Sequence, residues 1–145
     1  MPPVPASEQF GITLAELSRL WRRKLDERLR PLGLSQAKWI TLLQLSLAPE
    51  GTTQKELAER IGIEGPTLVG LLDRLEADGW VERHESTTDR RSKIVHLSAR
   101  ANPVLAQIRT IAATLRGEIF ADLADEDLGA CYETLLCLKA RLERL

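Results

Sequence analysis

The sequence predicts a mainly α-helical chain that carries one small β-hairpin. Three observations lead there. Leucine and other aliphatic residues recur every three or four positions through most of the 145 residues. A strand-like period replaces that spacing only between Trp80 and Leu97. Just before the change, two helical segments are separated by Gly62, and the first opens with a capping-box pattern, Thr53-Gln-Lys-Glu56.

The elements follow in order. From Ser7 to about Leu32, the apolar residues Leu14, Leu17, Trp21, Leu25, Leu29 and Leu32 form one stripe of a first helix. Arg19, Arg22, Arg23, Lys24, Arg28 and Arg30 lie on its other faces, and Pro31 and Gly33 end it. Ser35 is placed to cap a second helix, with Leu34 and Trp39 as the two ends of a hydrophobic staple. This helix stops before Pro49-Glu50-Gly51. The capping box opens a short third helix with Leu57, Ala58 and Ile61 inward, and Gly62 turns the chain. A fourth helix then has Pro66 in its first turn, Leu68, Leu71, Leu72 and Leu75 inside, and Gly79 as terminator. Trp80–His84 and Lys93–Leu97 read as two strands joined by a polar tip. A fifth helix runs from Ser98 or Asn102 to about Ala121; Pro103 suits a first turn and not an interior. A sixth begins near Asp125 and carries Leu128, Tyr132, Leu135, Leu138, Leu142 and Leu145.

The composition narrows the function classes. A chain of this length buries one core without disulfides, and with aromatics at 4% that core must be aliphatic. No apolar run approaches the ~18 residues of a membrane span. The opening Met1-Pro-Pro-Val-Pro5 lacks the features of a signal peptide and reads as a short frayed arm, so a cytoplasmic protein is expected. No nucleophile triad, phosphate-cradling glycine loop or paired-carboxylate pocket points to an enzyme, and no motif calls for a cofactor. With a net charge of −1, any grip on nucleic acid must come from local clusters.

Such a cluster is present. Short helix, glycine turn, longer helix and hairpin with a basic tip is the order of a winged helix-turn-helix. The second helix of the pair suits a major groove, and a tip arginine suits a minor groove. From Arg83 to Lys93 the sequence sets four cations against two carboxylates.

The stretches Gln54–Ile63, Leu71–Arg83 and Asp89-Arg-Arg91 resemble the MarR family of bacterial regulators. Leu20-Trp-Arg22, Leu29–Gln36 and Trp39-Ile-Thr41 are similar to its SlyA-like branch. The resemblance implies a homodimer on near-palindromic double-stranded DNA, with residues 1–32 and 102–145 as the dimerisation region and 33–101 as the DNA-binding domain. It implies a recognition helix from Glu64 to Asp78, with Pro66, Thr67, Val69 and Gly70 facing bases and Arg74 reaching phosphate or bracing the wing. Asp89 would orient one of Arg90 and Arg91 and leave the other, here assigned to Arg91, for the minor groove. Ser35 and Gln36 are further candidates for DNA contact. Gly70 stands where relatives in that branch tend to carry a base-reading arginine. The resemblance also implies an aromatic carboxylate effector between the first two helices, lined by Arg19, Arg22, Ala37, Trp39 and Leu43. Leu14, Leu17, Leu135, Leu138 and Leu142 would face a second subunit.

Bland readings stand beside these. Trp39 is equally explained as a staple residue, and the first helix's arginines as solubilising charge. His84, His96, Cys131 and Cys137 show no metal-ligand spacing. Each cysteine reads as a small buried hydrophobe. A winged helix that binds only protein is the competing function.

Overall fold

The computed structural model describes residues 1–145 and is helical apart from one antiparallel hairpin and its connections. The elements are α1 (Ala6–Leu29), α2 (Gln36–Leu47), α3 (Gln54–Ile61), α4 (Gly65–Ala77), β1 (Val81–Glu85), β2 (Lys93–Leu97), α5 (Asn102–Ile119) and α6 (Asp125–Leu142). This is the winged-helix arrangement the sequence predicts. The chain divides into two compact units, Met1–Ala112 and Ala113–Leu145. No helix is long and apolar enough to cross a membrane.

The core of the first unit is leucine. Leu29, Leu42, Leu57, Leu68, Leu72 and Leu75 are fully buried, together with Val81 and Ile108. Each side chain withdrawn from water in this way contributes about 1.5–3 kcal/mol. The helix ends are formed by local chemistry. Ser35 Oγ accepts from the Lys38 N–H at 3.3 Å, which starts α2. At α3 both halves of the capping box are present: the Glu56 N–H donates to Thr53 Oγ1 at 3.2 Å, and the Thr53 N–H donates to Glu56 Oε2 at 3.1 Å. These bonds give partners to three amides, those of Lys38, Thr53 and Glu56, at helix starts where backbone N–H groups have no intrahelical acceptor.

Gly79, at φ 80°, closes α4. Its N–H donates to Glu76 O at 2.9 Å and the Trp80 N–H donates to Leu75 O at 3.0 Å, a Schellman motif. The amide of Trp80 is therefore part of the helix end, and β1 begins one residue later than the sequence pattern suggests. The register Val81↔Leu97 to Glu85↔Lys93 places Val81 and Val95 on the inner face. A third segment, not legible in the sequence, joins the hairpin: the Val95 N–H donates to Thr52 O at 3.0 Å, and Thr53 bridges Ile94. Two residues carry no periodicity, so only the packing of α3 against β2 reveals the bridge. After β2, a 3-10 turn over Ala99–Ala101 leads into α5, which starts at Asn102 with Pro103 in its first turn.

In the second unit α6 has no buried residue. Cys131 and Cys137 are both exposed in the single chain, which corrects the expectation that they are buried hydrophobes. Tyr132, Leu136 and Leu142 are exposed as well, while Leu128, Leu135 and Leu138 are half-buried. In the first unit Phe10, Leu14 and Leu17 of α1 are similarly exposed, and the helix buries only Leu25 and Leu29.

Candidate nucleic-acid interface

Helix α4 buries its leucines and turns Gly65, Pro66, Thr67, Val69, Gly70, Asp73 and Arg74 outward. All five of the recognition-helix residues expected from the sequence are thus exposed on this helix. Val69 retains 38% of its surface. Glu64, the N-cap residue, makes no side-chain capping bond, so its exposed carboxylate stands free at the helix start. Ser35 and Gln36 lie exposed at the start of α2, where the Ser35 hydroxyl is engaged as the cap.

Arg83 joins the hairpin to α4. Strand alternation puts it on the same face as buried Val81, opposite Val95, and so under the hairpin instead of at its tip. Its Nη2 donates to Asp73 Oδ1 at 2.6 Å, its Nε to Glu76 Oε2 at 3.0 Å, and its Nη1 to Gln54 Oε1 at 3.5 Å. The hydrogen bond that Arg83 donates to Glu76 raises the guanidinium pKa above its ordinary value. Partial desolvation opposes the rise, and Asp73 adds to it. Arg83 therefore belongs to the clamp and not to the cationic tip. Three cations, Arg90, Arg91 and Lys93, remain there against Glu85 and Asp89. The signal that could have found this role is the strand period itself, since Val81 and Arg83 are two residues apart.

The tip is built by Asp89, but not by pairing with an arginine. Its Oδ1 accepts from the Arg91 backbone N–H at 2.9 Å, and its Oδ2 from the Ser92 hydroxyl at 3.3 Å. Asp89 thus holds the backbone of Arg91 and forms no ion pair with Arg90 or Arg91. A carboxylate two residues before an amide closes an Asx-type turn more directly than it reaches a long, solvated side chain. Arg90 and Arg91 are exposed and neither forms an ion pair. Arg74 is also exposed without a side-chain partner, so it is Arg83 that braces the wing.

Between these parts lies an open groove of about 470 Å³. Thr53, Gln54 and Lys55 of the α3 start, Gly65 and Val69 of α4, and Arg91 and Lys93 of the wing line it. Glu59 and Glu64 line it too. Nearby, Lys38 pairs with Asp78 at 2.7 Å and lies 6.0 Å from the Trp80 ring, which ties the start of α2 to the end of α4.

The residues expected around an effector differ in their surroundings. Trp39 is 4% exposed, and its Nε1–H donates to Asp26 Oδ1 at 3.1 Å, linking α2 to α1. Arg19 lines a shallow depression with Glu16, Leu20 and Arg23. Arg22 and Ala37 are exposed and Leu43 is half-buried.

The MarR family pattern matches residues 32–92. The chain is 43% identical to the transcriptional regulator PA3341 over 94% of this chain and 99% of that one, with a TM-score of 0.87. A MarR-family transcriptional regulator from Silicibacter pomeroyi is 25% identical with a TM-score of 0.82, covering 94% of this chain and 92% of that one. The fold is also that of CouR from Rhodococcus jostii RHA1, whose structure holds p-coumaroyl-CoA. That likeness has a TM-score of 0.78 at 23% identity, over 94% of this chain and 95% of that one.

Proposed function

The chain belongs to the MarR family of transcriptional regulators, and from that premise we propose that it is a sequence-specific DNA-binding regulator acting as a homodimer on a near-palindromic operator. One observation carries the reading. The Arg83 clamp holds the hairpin against α4, and Val69 of the exposed helix face lines one groove with the unpaired cations Arg91 and Lys93. A helix fits a major groove, and an arginine-bearing wing beside it fits the flanking minor groove.

Residues 33–101 are assigned to DNA binding, and 1–32 with 102–145 to dimerisation. The exposed Leu14, Leu17 and Leu142 support the latter, because apolar stripes left open on both terminal helices call for a second copy. Two-fold symmetry then sets the half-sites about one helical turn apart. The opening Leu20-Trp-Arg22 supports placement in the SlyA-like branch. We extend the reading to a small aromatic carboxylate effector: Arg19 and Arg22 stand on α1 without ion-pair partners, and a guanidinium pairs well with a carboxylate. Opening a site beside Trp39 would require its bond to Asp26 to yield.

The test begins with selection of bound fragments from random DNA. On the selected operator, Arg91→Ala is expected to weaken binding at least about tenfold, roughly 1.4 kcal/mol, and to flatten the salt dependence. Unchanged affinity and salt slope would remove the wing from the interface. For the effector, salicylate at millimolar concentration should release the operator and Arg22→Ala should blunt the release; no response to the probe sinks that part of the reading.

A further inference from the structure

We propose that α4 reads its operator through thymine 5-methyl groups, with Val69 and Thr67 as the specificity-determining contacts, and not through hydrogen bonds to purine edges. The inference rests on the reading of α4 as the recognition helix. Bidentate recognition of guanine or adenine needs Arg, Lys, Asn or Gln. The outward residues of the first two turns are Gly65, Pro66, Thr67, Val69 and Gly70, and none is of these types. In the next turn Asp73 is engaged by Arg83, as is Glu76 beyond it. Arg74 is free, but it lies about 7 Å further along the axis than Val69, away from the N-terminal turns that meet base edges.

What α4 does offer is apolar. Val69 is exposed and lines the groove that also holds Arg91 and Lys93, so it faces the side on which a polyanion would be held. Thr67 is exposed in the first turn of the helix and carries a methyl. At Gly70 an added Cβ would meet nothing within 4 Å, so no contact inside the chain requires glycine there. In mid-helix that glycine costs about 1 kcal/mol against alanine. Its effect is a recess beside Val69 that lets a base edge come close. The one apolar group in the major-groove pattern of a base pair is the thymine methyl.

Deoxyuridine tests this directly, because uracil pairs as thymine does and lacks only the methyl. Each thymine of the selected operator is replaced singly, and affinity is read by fluorescence anisotropy with the full-length protein. One or two positions per half-site should bind about fourfold more weakly, the effect of one buried methyl. Val69→Ala should abolish the thymine–uracil difference at one of them while binding the uracil operator within about twofold of wild type, and Thr67→Ser should do so at the other. Both positions are exposed, so folding is preserved. Equal binding to uracil at every position overturns the proposal. So does a penalty that survives both variants, or a guanine under α4 whose replacement by 7-deazaguanine weakens binding. If no operator emerges from selection, it is the DNA-binding reading that has failed, and this inference falls with it.

Discussion

Replacing Arg83 by alanine separates the wing from the helix it braces. The variant removes two ion pairs, at 2.6 Å to Asp73 and 3.0 Å to Glu76. The arginine side chain is 17% exposed, but its partners are 60% and 46% exposed, so solvent screens both pairs. Each is then worth about 0.2–1 kcal/mol, and with the lost packing of the aliphatic stem the total is about 1–2 kcal/mol. The loss in DNA affinity should be larger than this local weakening suggests. Asp73 and Glu76 would face the phosphates uncompensated; at about 10 Å in water each adds about 0.4 kcal/mol of repulsion, together about fourfold in affinity. A wing free to move then loses its preorganisation as well. Urea unfolding reads the first effect and anisotropy across a salt series the second. Arg83→Lys, which keeps the charge without the fork geometry, should fall between the two. Because the pKa of Arg83 is raised, its contribution is present below its ordinary value and is lost only as pH rises past the folded value. Stability from the clamp, so far as it rests on Arg83, should not change between about pH 6 and pH 9. Arg83→Ala with unchanged stability and unchanged operator affinity would refute the clamp as an energetic element.

Glu64→Gln should strengthen operator binding about two- to fivefold at low salt, since a free carboxylate at the start of α4 opposes a phosphate there; anisotropy with the wild-type operator checks it. Leu142→Glu should convert a dimer of about twice 16.2 kDa into a monomer by light scattering and abolish operator binding; a variant that stays dimeric would place the interface elsewhere. Gly79→Ala should destabilise the first unit by about 1–2 kcal/mol in urea, because φ is 80° there and a Cβ would approach Arg100 Nη1 to 2.8 Å. A loss under about 0.5 kcal/mol would show that the Schellman turn relaxes at little cost.

What the sequence by itself determined is whatever is local. The capping box at Thr53–Glu56, the caps at Ser35 and Gly79, and the leucine spacing of α4 act over a few residues, so they are legible one helix at a time. The exposed faces of Pro66, Thr67, Val69 and Gly70 followed from the same period, because burying Leu68, Leu71, Leu72 and Leu75 leaves them no other side. Only the tertiary structure decided which charges remain free. Arg83 reads as one more cation of the tip until the hairpin register places it beneath the sheet, against Asp73 and Glu76 from another element. Asp89 reads as a partner for arginine until the turn brings the Arg91 amide to its carboxylate. The Thr52 carbonyl becomes a sheet partner only when α3 carries it to Val95. The indole N–H of Trp39 finds its partner only when α1 brings Asp26, thirteen residues away, to 3.1 Å. A hydrophobic period is a property of one segment against water, whereas a hydrogen bond or ion pair is short-ranged and directional. Its partner is fixed only when packing has brought two distant segments within about 3 Å.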